Sequence, residues 1–383
     1  MKKLKRILTV ISLIVLLAIG ISTINNRMGN CKIEGNIRGL GTCLAFVSGG
    51  TNSHKSNFFK LILVWNDRFS FNAKVNEGSG GQILTRSMLF IKANGRPLGM
   101  RSKMINFNVN PDEHISIEGE MKAYSVDYNV KGNKLSQQLS TFRNANLPLL
   151  EQEAKTLLAV EKLVHEGAGK EIVDAKYREL SELSESYNNK RLEYAKAHPG
   201  DEPAALFLQS QAKDTILRYF PLLSEKVKGT DEGKLLQKRI EAWEQVEIGK
   251  PIPVFSNITL DGKTFHLSEL KGKYIVLDFW GSWCGPCVRG IPKMKEYYKK
   301  YSSKLEFVGI ACNDKEADWK KAVDKYALPW PQILNDEKSA LAIKYTIEVF
   351  PTKVLIDKNG NLINIFKGEG SEFYQKLDDL LAE

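Results

Sequence analysis

Residues 283–287 read Trp-Cys-Gly-Pro-Cys, a pair of thiols separated by two residues. At that spacing a single turn at a helix start brings both sulfurs within bonding distance, so a disulfide can form and break without unfolding the chain. Residues 274–280, just ahead, are a short apolar run without alternation, as in a strand covered on both faces. Residues 291–301, just behind, are compatible with a helix. A Cys-x-x-Cys where strand gives way to helix is far more specific than its spacing alone. Cys284 then lies at the helix N-terminus, where free N–H groups and the positive dipole end favour a thiolate. That makes Cys284 the attacking nucleophile and Cys287, one turn further in, the residue that resolves a mixed disulfide. Pro286 limits the loop and has no N–H to compete for a sulfur.

Asp278 is the one charged residue in the apolar run. Burying it ionised is costly, so its pKa should rise, which makes it a candidate proton carrier for Cys287. Cys312, closing the run at 307–312, is expected to be a buried thiol at a strand end. Zinc also uses Cys-x-x-Cys but needs four ligands. Only Cys312 stands nearby, and the five histidines (His54, His114, His165, His198, His266) are scattered, so no metal is expected.

Three kinds of element must position this pair within 383 residues, a length that fits two or three domains. Lys2, Lys3, Lys5 and Arg6 precede an uncharged stretch at residues 7–24, which reads as a secretory signal or an uncleaved membrane anchor within residues 1–30. Residues 31–134 alternate apolar and polar positions around turn residues such as Asn66-Asp67 and Asn110-Pro111-Asp112, predicting hairpins in a small antiparallel β-sandwich. If the first hairpin turns near residues 38–41, Cys43 faces about Asn36, too far from Cys31 for a disulfide. Residues 135–248 are rich in Glu, Lys, Leu and Ala and fit three or four helices, with Leu180, Leu183, Tyr187 and Tyr194 on one stripe and a helix start at Asp201 and Pro203. A Pro-bounded linker at 249–253 opens the last domain, 249–383.

The net charge of +10 is not a nucleic-acid signature, because residues 1–30 alone carry +5 and no basic run or aromatic-interleaved motif accounts for the rest. Apolar residues at 43% and charged residues at 26% likewise exclude a disordered chain.

The run at 277–287 resembles thioredoxin, and residues 249–383 as a whole are similar to the TlpA/ResA branch of exported thioredoxin-like oxidoreductases. Supporting matches are Gly262-Lys263, residues 267–273 and Val349-Phe350-Pro351-Thr352. The β-segment more loosely resembles the small β-domain that often precedes such a domain in bacterial envelope proteins. The resemblance implies a C-terminal α/β thioredoxin fold behind the β domain and helical middle. It implies that Pro351 is cis and faces the cysteines, its preceding backbone pairing with an extended substrate, and that Trp283, Gly285, Pro286 and Phe350 line the substrate surface. Thioredoxin carries an aspartate at the match to Asp278, whereas many TlpA/ResA-like proteins place an acid after the next strand, where Asp314 is the second candidate for the proton carrier. It further implies reduction of disulfides in exported proteins, including apocytochrome cysteines, with electrons from a membrane-embedded donor and no cofactor beyond the cysteine pair. A peroxidase of the peroxiredoxin type is the alternative, although no Pro-x-x-x-Thr/Ser-x-x-Cys run precedes any cysteine. A non-enzymatic binding protein is the other, and retention of both cysteines speaks against it.

Overall fold

The computed structural model describes residues 28–50, 58–91, 97–335 and 340–381. The expected signal or anchor therefore lies, up to Arg27, outside the described residues. Among those described, no helix is long and apolar enough to cross a membrane. Contacts divide the chain into two compact units, one up to Thr230 and one from Asp231 onward.

The first unit opens with ten strands: β1 (Cys31–Arg38), β2 (Cys43–Gly50), β3 (Phe58–Val64), β4 (Arg68–Ala73), β5 (Ser79–Thr85), β6 (Leu89–Ile91), β7 (Pro97–Gly99), β8 (Ile105–Val109), β9 (His114–Met121) and β10 (Val126–Lys131). Two four-stranded sheets, β10-β9-β1-β4 and β3-β2-β5-β8, share one core in which Ile33, Ile62, Phe71, Phe107 and Ile117 are buried. The strands fall where alternation puts them, but their partners differ from those expected. Asn66 and Asp67 do turn, with φ of 46° and 71°, yet beyond a Trp65–Arg68 bridge β3 pairs with β2 while β4 pairs with β1. Likewise β8 and β9 flank the turn at Asp112 but belong to different sheets. Alternation reports which side of a strand is buried, and in a sandwich both sheets bury the same side. Two further corrections follow. β1 pairs in parallel with β9, so the domain is not wholly antiparallel. β1 and β2 are not paired, so Cys43 faces Val64 rather than Asn36, and Cys31 and Cys43 are both free thiols.

Seven α-helices, rather than three or four, occupy the middle: α1 (Lys134–Ala145), α2 (Leu147–His165), α3 (Lys170–Ala197), α4 (Glu202–Leu208), α5 (Lys213–Tyr219), α6 (Glu225–Lys228) and α7 (Asp231–Gln245). Asn133 caps α1 by accepting from the Ser136 N–H, and the expected stripe on α3 places Tyr187 and Tyr194 against Phe142 of α1. Asp201 is the N-cap of α4, with a proline in its first turn. α7 belongs to the second unit, ahead of the composition boundary at 249, and Arg239 on it pairs with Glu348 at 2.8 Å.

The second unit continues with β11 (Ser256–Ile258), β12 (Thr264–His266), β13 (Tyr274–Trp280), α8 (Gly285–Tyr301), β14 (Leu305–Ala311), α9 (Glu316–Tyr326), β15 (Gln332–Leu334), α10 (Leu341–Lys344), β16 (Thr352–Ile356), β17 (Leu362–Lys367) and α11 (Ser371–Leu381). Its central sheet runs β15-β14-β13-β16-β17, with β13, β14 and β15 mutually parallel and β16 and β17 antiparallel. Ile275, Leu277 and Phe279 pack on one face with Tyr345 and Val354. Val276 packs on the other with Met294 of α8 and with Phe373 and Leu377 of α11. Both faces are thus covered, which is why β13 shows no alternation. This is the expected thioredoxin-like α/β architecture.

Candidate active site

β13 ends at Trp280 and the chain turns through Gly281, Ser282 and Trp283 before α8 begins. Cys284 is the N-cap of α8, and its Sγ accepts from the Cys287 N–H at 3.3 Å, where a capping oxygen would ordinarily sit. Cys284 and Cys287 are joined as a disulfide, with Cα atoms 5.3 Å apart. Both cysteines are 4% exposed, whereas Trp283, Gly285 and Pro286 around them are exposed. The pair rests on a cluster of Trp280, Ala311, Trp319, Ala322 and Val323.

The Phe350–Pro351 peptide is cis. Phe350 packs against the cluster that holds both cysteines, and its ring meets Trp283 edge-on at 5.7 Å. The Cys-x-x-Cys loop and the Pro351 loop therefore adjoin.

Asp278 is 6% exposed and lies on the same face of β13 as Val276 and Trp280, the face covered by α8 and α11. Burial is the largest influence on its carboxyl and pushes the pKa up to about 6, with Lys353 pulling it down and Glu369 adding to the rise. Asp314, the second candidate, instead accepts hydrogen bonds from the Ser282 N–H at 2.6 Å and the Ser282 hydroxyl at 2.7 Å, tying down the loop before the cysteines. Trp283 is tethered too, donating Nε1–H to the Cys312 carbonyl at 3.0 Å. Cys312 is 1% exposed and burial raises its pKa, so it stays a neutral thiol.

Sequence reasoning missed Lys353 and Glu369. Lys353 is paired with Asp278 in the β16–β13 register and buried to 1%, with Nζ 3.7 Å from Asp278 Oδ1 and 2.7 Å from Glu369 Oε2. The available signal was symmetrical: one anion in the apolar run of β13 and one cation in the apolar run of β16.

Residues 247–381 match the Redoxin family. Over 141 residues the chain is 36% identical to the thiol-disulfide oxidoreductase ResA of Bacillus thuringiensis subsp. konkukian, which covers 37% of this chain and 80% of that protein. The chain belongs to the ResA-like thiol–disulfide oxidoreductases. Another relative, the thioredoxin-like protein YneN of Bacillus subtilis, is 35% identical over 138 residues, or 35% of this chain and 80% of YneN. A putative thiol:disulfide interchange protein DsbE from Chlorobium tepidum aligns with 36% of the chain and 97% of its own length at 28% identity and a TM-score of 0.33. The ResA-like sequence lies in the unit that carries the cysteine pair, which makes the chain a thioredoxin-like thiol–disulfide oxidoreductase.

Proposed function

We propose that this ResA-like protein acts in the cell envelope, reducing disulfides of exported proteins, apocytochromes among them, with electrons received from a membrane-embedded donor. The observation that carries this reading is the Cys284 sulfur at the N-terminus of α8, adjoining the cis-Pro351 loop. The cationic start and uncharged stretch at residues 7–24 support export.

In the reduced enzyme the Cys287 N–H and the helix dipole hold Cys284 as a thiolate. That thiolate attacks the substrate disulfide and forms a mixed disulfide. Asp278 takes the proton of Cys287, whose thiolate then attacks Cys284 and releases the substrate thiol. Because so little of Cys284 is open, the partner must offer a protruding, extended segment along the rim of Trp283, Gly285, Pro286 and Phe350. The Gly-Pro pair between the cysteines resembles that of the reducing thioredoxin, which supports the reducing direction.

Equilibration with glutathione tests the direction: a potential near the ~−270 mV of thioredoxin is expected, and one near the ~−120 mV of strong oxidants would reverse it. Cys287→Ser should stall at the mixed disulfide and name the substrate. Capture of envelope proteins at Cys284 in that variant supports the reading, and a variant that captures none removes it.

A further inference from the structure

Lys353 has two carboxylates within reach and does not share its ammonium evenly. It sits 2.7 Å from Glu369 and 3.7 Å from Asp278, the second distance too long for a hydrogen bond. Asp278 Oδ1 meets no hydrogen-bond donor among the described residues. Glu369, between β17 and α11, is fixed from two sides. Its Oε1 accepts from the Tyr374 hydroxyl at 2.9 Å, and its carboxylate lies against Gly290, one turn beyond Cys287 on α8. A buried cation normally closes on its partner, since the interior offers it no water. Here a second carboxylate, itself held in place, keeps the cation back.

We propose that Glu369 is a positioning residue for disulfide exchange: by holding Lys353 away from Asp278 it leaves that carboxyl free to take up and return the proton of Cys287. The inference rests on the reading of Asp278 as the proton carrier.

The exchange balances as follows. Cys284 thiolate attacks R–S–S–R′, forming Cys284–S–S–R and releasing R′–S⁻, which takes a proton from water. Asp278 carboxylate accepts the Cys287 proton, Cys287 thiolate attacks Cys284 Sγ, the Cys284–Cys287 disulfide forms and R–S⁻ leaves. Asp278 returns the proton to R–S⁻, directly or through water. Two electrons pass from the cysteine pair to the substrate disulfide. A lysine closed on Asp278 would hold it ionised and make it a poor base.

The titratable and charged groups that act on or respond to Asp278 are Lys353 on β16, Glu369 after β17, Tyr374 on α11 and Cys312 beyond β14. Burial raises the pKa of both Tyr374 and Cys312, so these stay neutral. Lys353 and Glu369 are thus the charges that act on Asp278, in opposite directions.

The test follows reduction of insulin disulfides by the full chain across about pH 5 to 9, with the Asp278 carboxyl titrated in parallel by ¹³C NMR. In Glu369→Gln the Asp278 midpoint and the acid limb of the rate should move down by about one pH unit or more, with about a tenfold loss of rate on the plateau. Lys353→Met should move both upward. Glu369→Asp, which keeps the charge, should restore the wild-type limb. The NMR midpoint reads the displacement even where a variant is too slow to assay. If Asp278→Asn removes the limb while Glu369→Gln shifts neither limb nor midpoint, the inference is overturned and the proton-carrier reading stands. If Asp278→Asn leaves the profile intact, while Cys284→Ser abolishes turnover, the proton-carrier reading falls and takes the inference with it.

Discussion

Each unit buries a charged side chain of the kind a core normally excludes, and the two are treated in opposite ways. In the N-terminal unit, Arg143 of α1 is 6% exposed. It donates to the Val126 carbonyl at 2.6 Å and to the Ser102 carbonyl, and its guanidinium lies 4.6 Å from the Tyr128 ring centroid. In the C-terminal unit, Asp278 is equally buried, but one of its oxygens has no donor among the described residues and the ammonium of Lys353 leans toward another carboxylate. Both terminal nitrogens of Arg143 are bound to backbone carbonyls, and although its Nε meets no acceptor among the described residues, an ion held at two points serves as a fastener. One left partly unpaired keeps the freedom to change protonation, and here that ion stands on the strand leading to a sulfur pair.

Breaking the fastener should have the largest effect. Arg143→Met strips donors from two buried carbonyls and should destabilise the N-terminal unit by about 3 to 5 kcal/mol, read as the shift of its urea midpoint. A loss under about 1 kcal/mol would show that Arg143 is as loosely held as Asp278. The opposite sign is expected for Asp278→Asn. The folded-state pKa of about 6 lies above the ordinary value of 3.8, so the folded state holds this proton more tightly than the unfolded chain. The cost of the ionised form is therefore full above about pH 6 and gone below about pH 4, and Asp278→Asn should stabilise the C-terminal unit by about 3 kcal/mol at the high end and by nothing at the low end. Parallel stability profiles for Asp278→Asn and wild type across that range would contradict this. The smallest effect is expected on the open face of the β-domain, where Leu44 is 53% exposed opposite Leu63 at 48%. Leu44→Thr should change the midpoint by less than about 1 kcal/mol, and a larger loss would mean that something covers that face.

The contrast also marks what the sequence could disclose. The Cys-x-x-Cys site was legible because strand, turn and helix start are contiguous in the chain, so residues 274–301 carry the whole local geometry. Asp278 was legible as buried because its neighbours in the run are apolar. Lys353 stands out in the sequence only as a cation within an apolar run, and it is the β16–β13 register that places it opposite Asp278. Glu369 stands in a turn with no periodicity to read, and tertiary folding alone brings it to Gly290. The β-domain failed in the same way. Alternation located its strands, but which sheet each one joins is decided at the corners, where Asn66-Asp67 and Asp112 send the chain across instead of back.

Gly290 gives this arrangement an unusual point of adjustment. A methyl group at that position would arrive within 2.6 Å of the Glu369 carboxylate, which would have to shift against the Lys353 and Tyr374 contacts that hold it. Alanine there would nudge a negative charge contributed from near the opposite end of the domain while leaving Trp283 to Cys287 unaltered. The electron-transfer chemistry of such an enzyme is thus open to retuning from the rear of its helix, one carbon at a time, without rewriting the motif by which it is known.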